Sequence, residues 1–187
     1  MKEIRVFIIE GIAGSGKTTF HNQLKKKLKN KTIYDFSEEE LLFSWKHAWL
    51  KNINSIRLNF MNSILDYIQT TIKKDSSAVF ILNRFHISFA ILAVKMSKNI
   101  ASKYNKLIQR IKKLPVKIFV PTIKKHEIEK RSSHKERKEK IWGLHQQKRM
   151  KTRNFSNLTE MYVWEQNLIL KLLKKQKIPY SAIKIKK

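Results

Sequence analysis

Cysteine is absent from the 187 residues, which removes disulfide frameworks, thiolate zinc sites, iron–sulfur clusters and thiol nucleophiles. Glycine (4) and proline (3) are scarce, which excludes collagen-like and low-complexity chains. Acid is scarce as well: 14 Asp plus Glu stand against 41 Lys plus Arg, a formal charge of +27. Long apolar runs are missing too. Val6 to Ile9 is too short for the core of a signal peptide. Ile87 to Val94, interrupted by Ser88 and closed by Lys95, falls far short of the roughly 20 residues of a membrane helix. Nothing calls for an oxidising compartment, no membrane is expected as a partner, and a cytoplasmic location is the default.

What is present suits a globular chain. Hydrophobic residues make up 42% and aromatic residues 10%, enough for one compact domain with a real core over residues 1–187. The charge is uneven: residues 1–97 hold 15 basic and 8 acidic side chains (+7), residues 98–187 hold 26 and 6 (+20). A basic half attracts polyanions through counterion release, which makes nucleic acid a possible partner. Of the 41 basic residues, however, 33 are Lys and 8 are Arg, whereas phosphate and base readout favours the Arg fork. An ordinary solvated surface remains the simpler account.

Periodicity gives the order of elements. Ile4 to Ile9 is a continuous apolar run broken only by Arg5, as in a strand buried on both faces of a parallel sheet. Thr18 to Lys29 follows as a helix with Phe20, Leu24 and Leu28 on one face. Thr32 to Phe36 is a second strand. Ser37 with Glu40 forms a capping-box pattern that predicts a helix carrying Leu41, Leu42, Trp45 and Trp49 inward. Ile56 to Ile72 is another amphipathic helix. Ala78 to Leu82 is a third strand, followed by a largely apolar helix from Phe85 to Met96 that extends toward Ile111. Val116 to Val120, between Pro115 and Pro121, is the fourth strand. Lys124 to Arg153 is a charged helical flap with Ile141, Trp142 and Leu144 as its apolar anchors. A helix from Leu158 to Leu173 and a fifth strand from Tyr180 to Ile185 close the chain. Strands alternating with helices predict an α/β fold of right-handed units, a five-stranded parallel sheet flanked by helices on both faces.

One segment carries specific chemistry. Gly11-Ile12-Ala13-Gly14-Ser15-Gly16-Lys17-Thr18 satisfies G-x-x-x-x-G-K-[ST] directly after a strand and directly before a helix. The backbone of Gly11, Ala13, Gly14, Ser15, Gly16 and Lys17, with Thr18 and Thr19 at the helix start, would cradle phosphate oxygens at a positive helix end. Lys17 would reach the β- and γ-phosphates of ATP, and the Thr18 hydroxyl would ligate Mg²⁺. Arg84 stands immediately after the third strand, where an open α/β sheet places its ligands. Arg131, Lys135, Arg137 and Arg149 form a second cation cluster in the flap, able to fold over phosphates and exclude water. Each flap Arg taken singly is equally an ordinary solvated charge.

These residues carry a resemblance. Ile-Ile-Glu10-Gly11 running into the glycine loop resembles the opening of thymidylate kinases and deoxynucleoside kinases, a group of P-loop nucleoside and nucleotide kinases. Ile-Leu-Asn83-Arg84-Phe85 is similar to their Asp-Arg or Glu-Arg element at the end of the third strand, and Arg131 with Arg137 in a basic flap is similar to their lid, here about 124–153. The resemblance implies a single P-loop kinase-type domain with a basic helical lid. It also implies ATP and Mg²⁺ as cofactors and phosphoryl transfer to a small nucleoside or nucleoside monophosphate. Lys17, Arg84, Arg131 and Arg137 would then serve as catalytic cations, and Asn83 with Thr18 would stand at the metal. Asp35, or else Glu38, would take the proton from the acceptor hydroxyl or lie beside it. The chain departs from the pattern at Asn83, where the family has an acid. It departs again in the helix after Ile56, where Arg57 is the nearest basic residue to the family's monophosphate clasp. Trp45, Trp49 and Phe60 would wall the acceptor pocket or pack in the core. A homodimer through the apolar helices, including Phe85 to Val94, is a further implication. Alternatives are a kinase for nucleic-acid 5′-hydroxyl ends and a former kinase that binds ATP or RNA without transfer. The six His residues show no paired ligand spacing.

Overall fold

The computed structural model describes residues 3–41, 49–93, 96–132 and 140–184. Five strands form one all-parallel sheet: β1 (Val6–Ile9), β2 (Thr32–Phe36), β3 (Ala78–Asn83), β4 (Val116–Pro121) and β5 (Tyr180–Ile183), in the order β2-β3-β1-β4-β5. Seven helices are described: α1 (Lys17–Lys27), α2 (Ile53–Lys74), α3 (His86–Leu92), α4 (Lys98–Lys112), α5 (Lys125–Ser132), α6 (Lys140–Thr152) and α7 (Leu158–Gln176).

The central strands are apolar on both sides because both faces are covered. Ile9 and Ile81 point to the α1 face, where Leu24 packs on them with Phe7, Phe20, Leu28 and Ile33 around the edge. Val6, Ile8, Phe80, Leu82, Ile118 and Val120 point the other way, into a larger core shared with α2, α3, α4 and α7. This asymmetry matters for function. Among the described residues, the smaller core on the thin side is built with α1, which runs from the glycine loop, and the thick side supplies several helices whose ends surround the carboxyl edge of the sheet.

Several expectations are corrected. The single helix from Phe85 to Ile111 is two: α3 ends at Ala93, and α4 starts anew with Ser97 as its cap, whose hydroxyl accepts the Ile100 N–H at 3.3 Å. The break matches a change in burial, since α3 is wrapped in core whereas α4 buries only the stripe Tyr104, Leu107, Ile108 and Ile111. Phe85, Ile87 and Phe89, within the stretch expected to form a dimer surface, are fully enclosed in the chain's own core. The capping box forms: the Ser37 N–H donates to Glu40 Oε2 at 2.6 Å and the Glu40 N–H to Ser37 Oγ at 3.3 Å. The segment it opens is described only to Leu41, as a turn. Leu42 and Trp45 lie outside the described residues, and Trp49 is 79% exposed rather than directed inward. Leu144, expected to anchor the flap, is exposed as well.

Candidate active site

The chain leaves β1 through a loop built on positive-φ glycines, Gly11, Gly14 and Gly16, at 148°, 77° and 94°. Gly11 is also sterically obligatory: a Cβ there would lie 2.9 Å from Ser15 Oγ and 3.2 Å from the Pro121 carbonyl oxygen at the end of β4. Gly16 begins α1 without a side-chain cap, and the first turn carries no acid. The leading N–H groups of α1 are therefore left for an external anion. Lys17 is buried and folds back over the loop, its ammonium donating to the carbonyls of Gly11 at 3.2 Å and Ile12 at 3.0 Å. Ser15 Oγ is buried within this loop with no hydrogen-bond partner among the described residues.

A cavity of about 240 Å³ runs from this loop along the carboxyl ends of β1 and β3 to α3, α6 and α7. This is the crevice where the strand order switches sides around β1, the expected ligand position in an open α/β sheet. Arg84 stands in its wall with φ of 69°, a conformation disfavoured for a side-chain-bearing residue. Three contacts hold it there. Its N–H donates to the Ile9 carbonyl at 2.9 Å, its Nε donates to Glu38 Oε2 at 2.7 Å and its Nη1 donates to Ser88 Oγ at 3.4 Å. Burial works against the Arg84 charge, but Glu38, then Glu10 and Glu165, lift its pKa above the ordinary value. Glu10 is fully buried behind it and caps α3. Its Oε1 accepts the N–H groups of Phe85, Ile87 and Ser88 at 2.8, 3.1 and 3.3 Å, and its Oε2 accepts the Ser88 hydroxyl at 2.5 Å. Burial raises the Glu10 pKa in spite of these bonds. Asn83 Oδ1 is buried without a partner among the described residues, and Asn83 lines the cavity.

The flap closes the remaining sides. On α5, Arg131 Nη1 donates to the Gly14 carbonyl at 2.8 Å and Nη2 to Glu127 Oε1 at 3.2 Å, so a side chain of the charged flap rests on the glycine loop itself. On α6, Arg149 donates from Nη1 to Gln146 Oε1 at 2.8 Å and from Nη2 to Glu165 Oε1. The same Glu165 oxygen, on α7, accepts from Arg153 Nη1 at 3.0 Å. His145 beside them is pushed down to about 4, first by burial and then by the cations Arg149, Lys148 and Arg57. It presents a neutral imidazole to the cavity.

Of the residues predicted from sequence, Gly11, Ala13, Lys17, Thr18, Asn83 and Arg84 meet around one cavity, and Arg131 touches the loop beside it. Asp35 does not line it. It lies on the α1 side of β2, where Oδ1 pairs with His21 Nε2 at 2.8 Å and Oδ2 accepts from Lys25 at 2.9 Å. Of the two acids weighed for that role, Glu38 is the one that lines the cavity, together with Glu165 from α7. Arg137 and Lys135 fall outside the described residues. Phe60 packs partly buried against the core. Arg57 is buried on α2, where loss of water lowers its pKa to about 10; it is not in the cavity wall. Glu10, Ser88, His145, Gln146, Tyr162 and Glu165 are site residues that sequence reasoning passed over. Glu165 left a trace, an acid set at helical spacing within the buried row Tyr162, Ile169 and Leu173.

The oxygen donors suit a small hard cation. The Thr18 hydroxyl and Asn83 Oδ1 are neutral hard oxygens, and the described residues contain no cluster of three His, Asp or Glu able to hold a metal alone. A divalent ion here would take most of its ligands from phosphates and water, which is the usual state of Mg²⁺ in such sites.

The parallel sheet, the glycine loop on its central strand and the arginine at the neighbouring strand end define a P-loop NTPase with the fold of nucleotide kinases. The chain belongs to the KAP family: residues 1–160 match the profile described as KAP family P-loop domain. No curated protein matches it by sequence. Among solved structures it is similar to thymidylate kinase from Candida albicans, with TM-score 0.59 and 14% identity over 97% of this chain and 84% of that one. It is also similar to YorR from Bacillus subtilis, in complex with phosphorylated GDP, with TM-score 0.56 and 17% identity over 96% and 85%. A third is thymidylate kinase from Ehrlichia chaffeensis, with TM-score 0.54 and 16% identity over 98% and 92%. At these identities the likeness is one of fold.

Proposed function

We propose that the protein transfers the γ-phosphoryl group of ATP to a nucleoside or nucleoside monophosphate. One observation carries the reading: a single cavity is lined both by the phosphate loop with Lys17 and by a carboxylate, Glu38, held by a half-buried arginine, Arg84. The loop amides, from Gly11 to Thr19, and Lys17 take the donor phosphates, leaving the Gly11 and Ile12 carbonyls that hold Lys17 in their absence. Thr18 and Asn83 hold Mg²⁺, which neutralises charge on the β- and γ-phosphates when bound. Glu38 accepts the proton of the attacking hydroxyl, a role that resemblance also allows Asp35. Arg84 orients Glu38 and keeps Nη donors beside the moving group, where charge spreads in the transition state. Residues 124–153 serve as the lid, with Arg131 fastening α5 to the loop; for Arg137, outside the described residues, the resemblance alone supports a part in it. The likeness of fold to thymidylate kinases supports this assignment.

The test is transfer from γ-labelled ATP with Mg²⁺ to nucleosides, nucleoside monophosphates and 5′-hydroxyl oligonucleotides, with Lys17→Ala as the blank. Transfer to either small class supports the proposal. ATP binding with no transfer overturns it in favour of a nucleotide-binding switch, for which the neutral Asn83 is the structural argument. The +20 charge of residues 98–187 favours a second reading, phosphorylation of an oligonucleotide end. That reading requires activity falling steeply with salt.

A further inference from the structure

The phosphate-loop end of the cavity is cationic, with Lys17 and the uncapped start of α1. The opposite end is balanced. Its charged walls are Glu38, Arg84, Arg149 and Glu165, two of each sign, and each arginine already donates to a carboxylate, Arg84 to Glu38 and Arg149 to Glu165. Behind them a third carboxylate, Glu10, acts on Arg84, and a third arginine, Arg153, shares Glu165. The remaining polar groups there, Ser88, Gln146, His145 and Tyr162, carry no charge, and His145 is held neutral by its surroundings. Arg57 acts on His145 from α2 but does not enter the wall.

We propose that the acceptor is an uncharged nucleoside, and that Glu38 and Glu165, by occupying the two arginines at the acceptor end, exclude nucleoside monophosphates. This rests on the kinase reading above and decides within it. A 5′-monophosphate brings about −1.5 to −2 charge at neutral pH. To bind, it would have to lie beside two carboxylates, or draw Arg84 or Arg149 away and leave a carboxylate unpaired, Glu165 being almost wholly enclosed. A nucleoside imposes neither cost. Its hydroxyls donate to Glu38 or Glu165, and its carbonyl and ring nitrogen atoms accept from Gln146 and from the Arg149 Nε–H, which is buried without a partner among the described residues. In the transfer step the acceptor hydroxyl oxygen bonds to the γ-phosphorus as the bond to the β,γ-bridging oxygen breaks. Its proton passes to Glu38, and ADP leaves with the bridging oxygen.

The experiment is calorimetric titration of the full chain, preloaded with Mg²⁺ and a non-hydrolysable ATP analogue, with each nucleoside and its 5′-monophosphate, alongside the transfer assay on both. The expected result is that the accepted nucleoside binds at least about ten-fold tighter than its monophosphate and receives the label. Glu165→Gln, which removes one negative charge and leaves an amide oxygen for Arg153, narrows that ratio several-fold by strengthening monophosphate binding. Monophosphate binding equal to or tighter than nucleoside binding in the wild type overturns the proposal and leaves the kinase reading standing. Failure of both ligands to bind or to be phosphorylated, with ATP analogue bound, overturns the two together. The wild-type ratio decides the matter even where Glu165→Gln does not fold.

Discussion

At one end of the cavity the working contacts come from backbone: three positive-φ glycines, the first N–H groups of α1, and one lysine resting on two carbonyls. At the other end they come from side chains drawn from α3, α6, α7 and the loop after β2, meeting as arginine–carboxylate pairs across separations such as Arg149 to Glu165 and Glu38 to Arg84. The polar contacts of the backbone end are made within the loop itself, Lys17 resting on the Gly11 and Ile12 carbonyls, so they tie few separate elements together. The side-chain end is enclosed, so the same residues that face the ligand also hold helices together. Function and stability are separable in the first region and fused in the second.

Lys17→Ala tests the separation most severely. Transition-state charge loses its main donor, so turnover in the transfer assay is expected to fall by roughly a hundred- to a thousand-fold, with the thermal unfolding midpoint nearly unchanged. A midpoint falling in step with activity would break the contrast. Glu165→Ala should show the reverse order of effects. Two part-buried arginines, Arg149 and Arg153, lose the buried carboxylate they share, and unfolding in urea is expected to show a loss of about 2 kcal/mol. A change within the noise would mean that the helices of the acceptor end do not depend on this hub.

His86 sharpens the contrast from behind the same wall. It is fully buried against Gln176 Oε1 at 3.0 Å, and burial lowers its pKa from 6.5 to about 4. A depressed pKa gives stability that is present above the unfolded value and is lost as pH falls toward the folded one. The wild type is therefore expected to lose about 2 kcal/mol between pH 7 and pH 4.5 from this group. Glu10, with its raised pKa, moves stability the opposite way, so the comparison is made by difference: His86→Gln should lose that much less over the same window in urea titrations at the two pH values. The smallest effect belongs to the α3–α4 break. Ser97→Ala removes the cap of α4 and is expected to cost about 1 kcal/mol with transfer activity unchanged, which places the break outside both ends of the cavity.

The two regions also differ in how far they were legible in the sequence. The backbone end depends on neighbours in the chain, so the spacing from Gly11 to Thr18 was sufficient to locate it, and the alternation of periods sufficed for the parallel sheet. Arg84 was found because it follows a strand directly. The rest of the acceptor end is assembled from residues up to 155 positions apart, as with Glu10 and Glu165, and no local pattern marks such a meeting. Asp35 illustrates the difficulty. It ends β2 as the resemblance asks, but strand pleating turns it toward His21 and Lys25, while Glu38, three residues on, enters the cavity. Trp49 was read inward from helical spacing, but it is exposed, and helical spacing alone does not say which face of a helix meets the core. The division of the Phe85–Ile111 helix escaped because an apolar run looks the same whether it is one helix or two when no glycine or proline marks the joint.

The strand order has a consequence for the growing chain. β1, which leads into the phosphate loop, is the middle strand, and its partners are β3 and β4, with Pro121 closing against Gly11. The earliest-made strand thus waits for one of the later ones: more than a hundred residues must follow Gly11 before its loop can take shape, on the order of ten seconds at the usual pace of a ribosome. Until then β1 can pair only with β3, and its other edge, the one that β4 will cover, has no partner strand. A truncated chain ending before β4 would possess the entire glycine signature and still have no site.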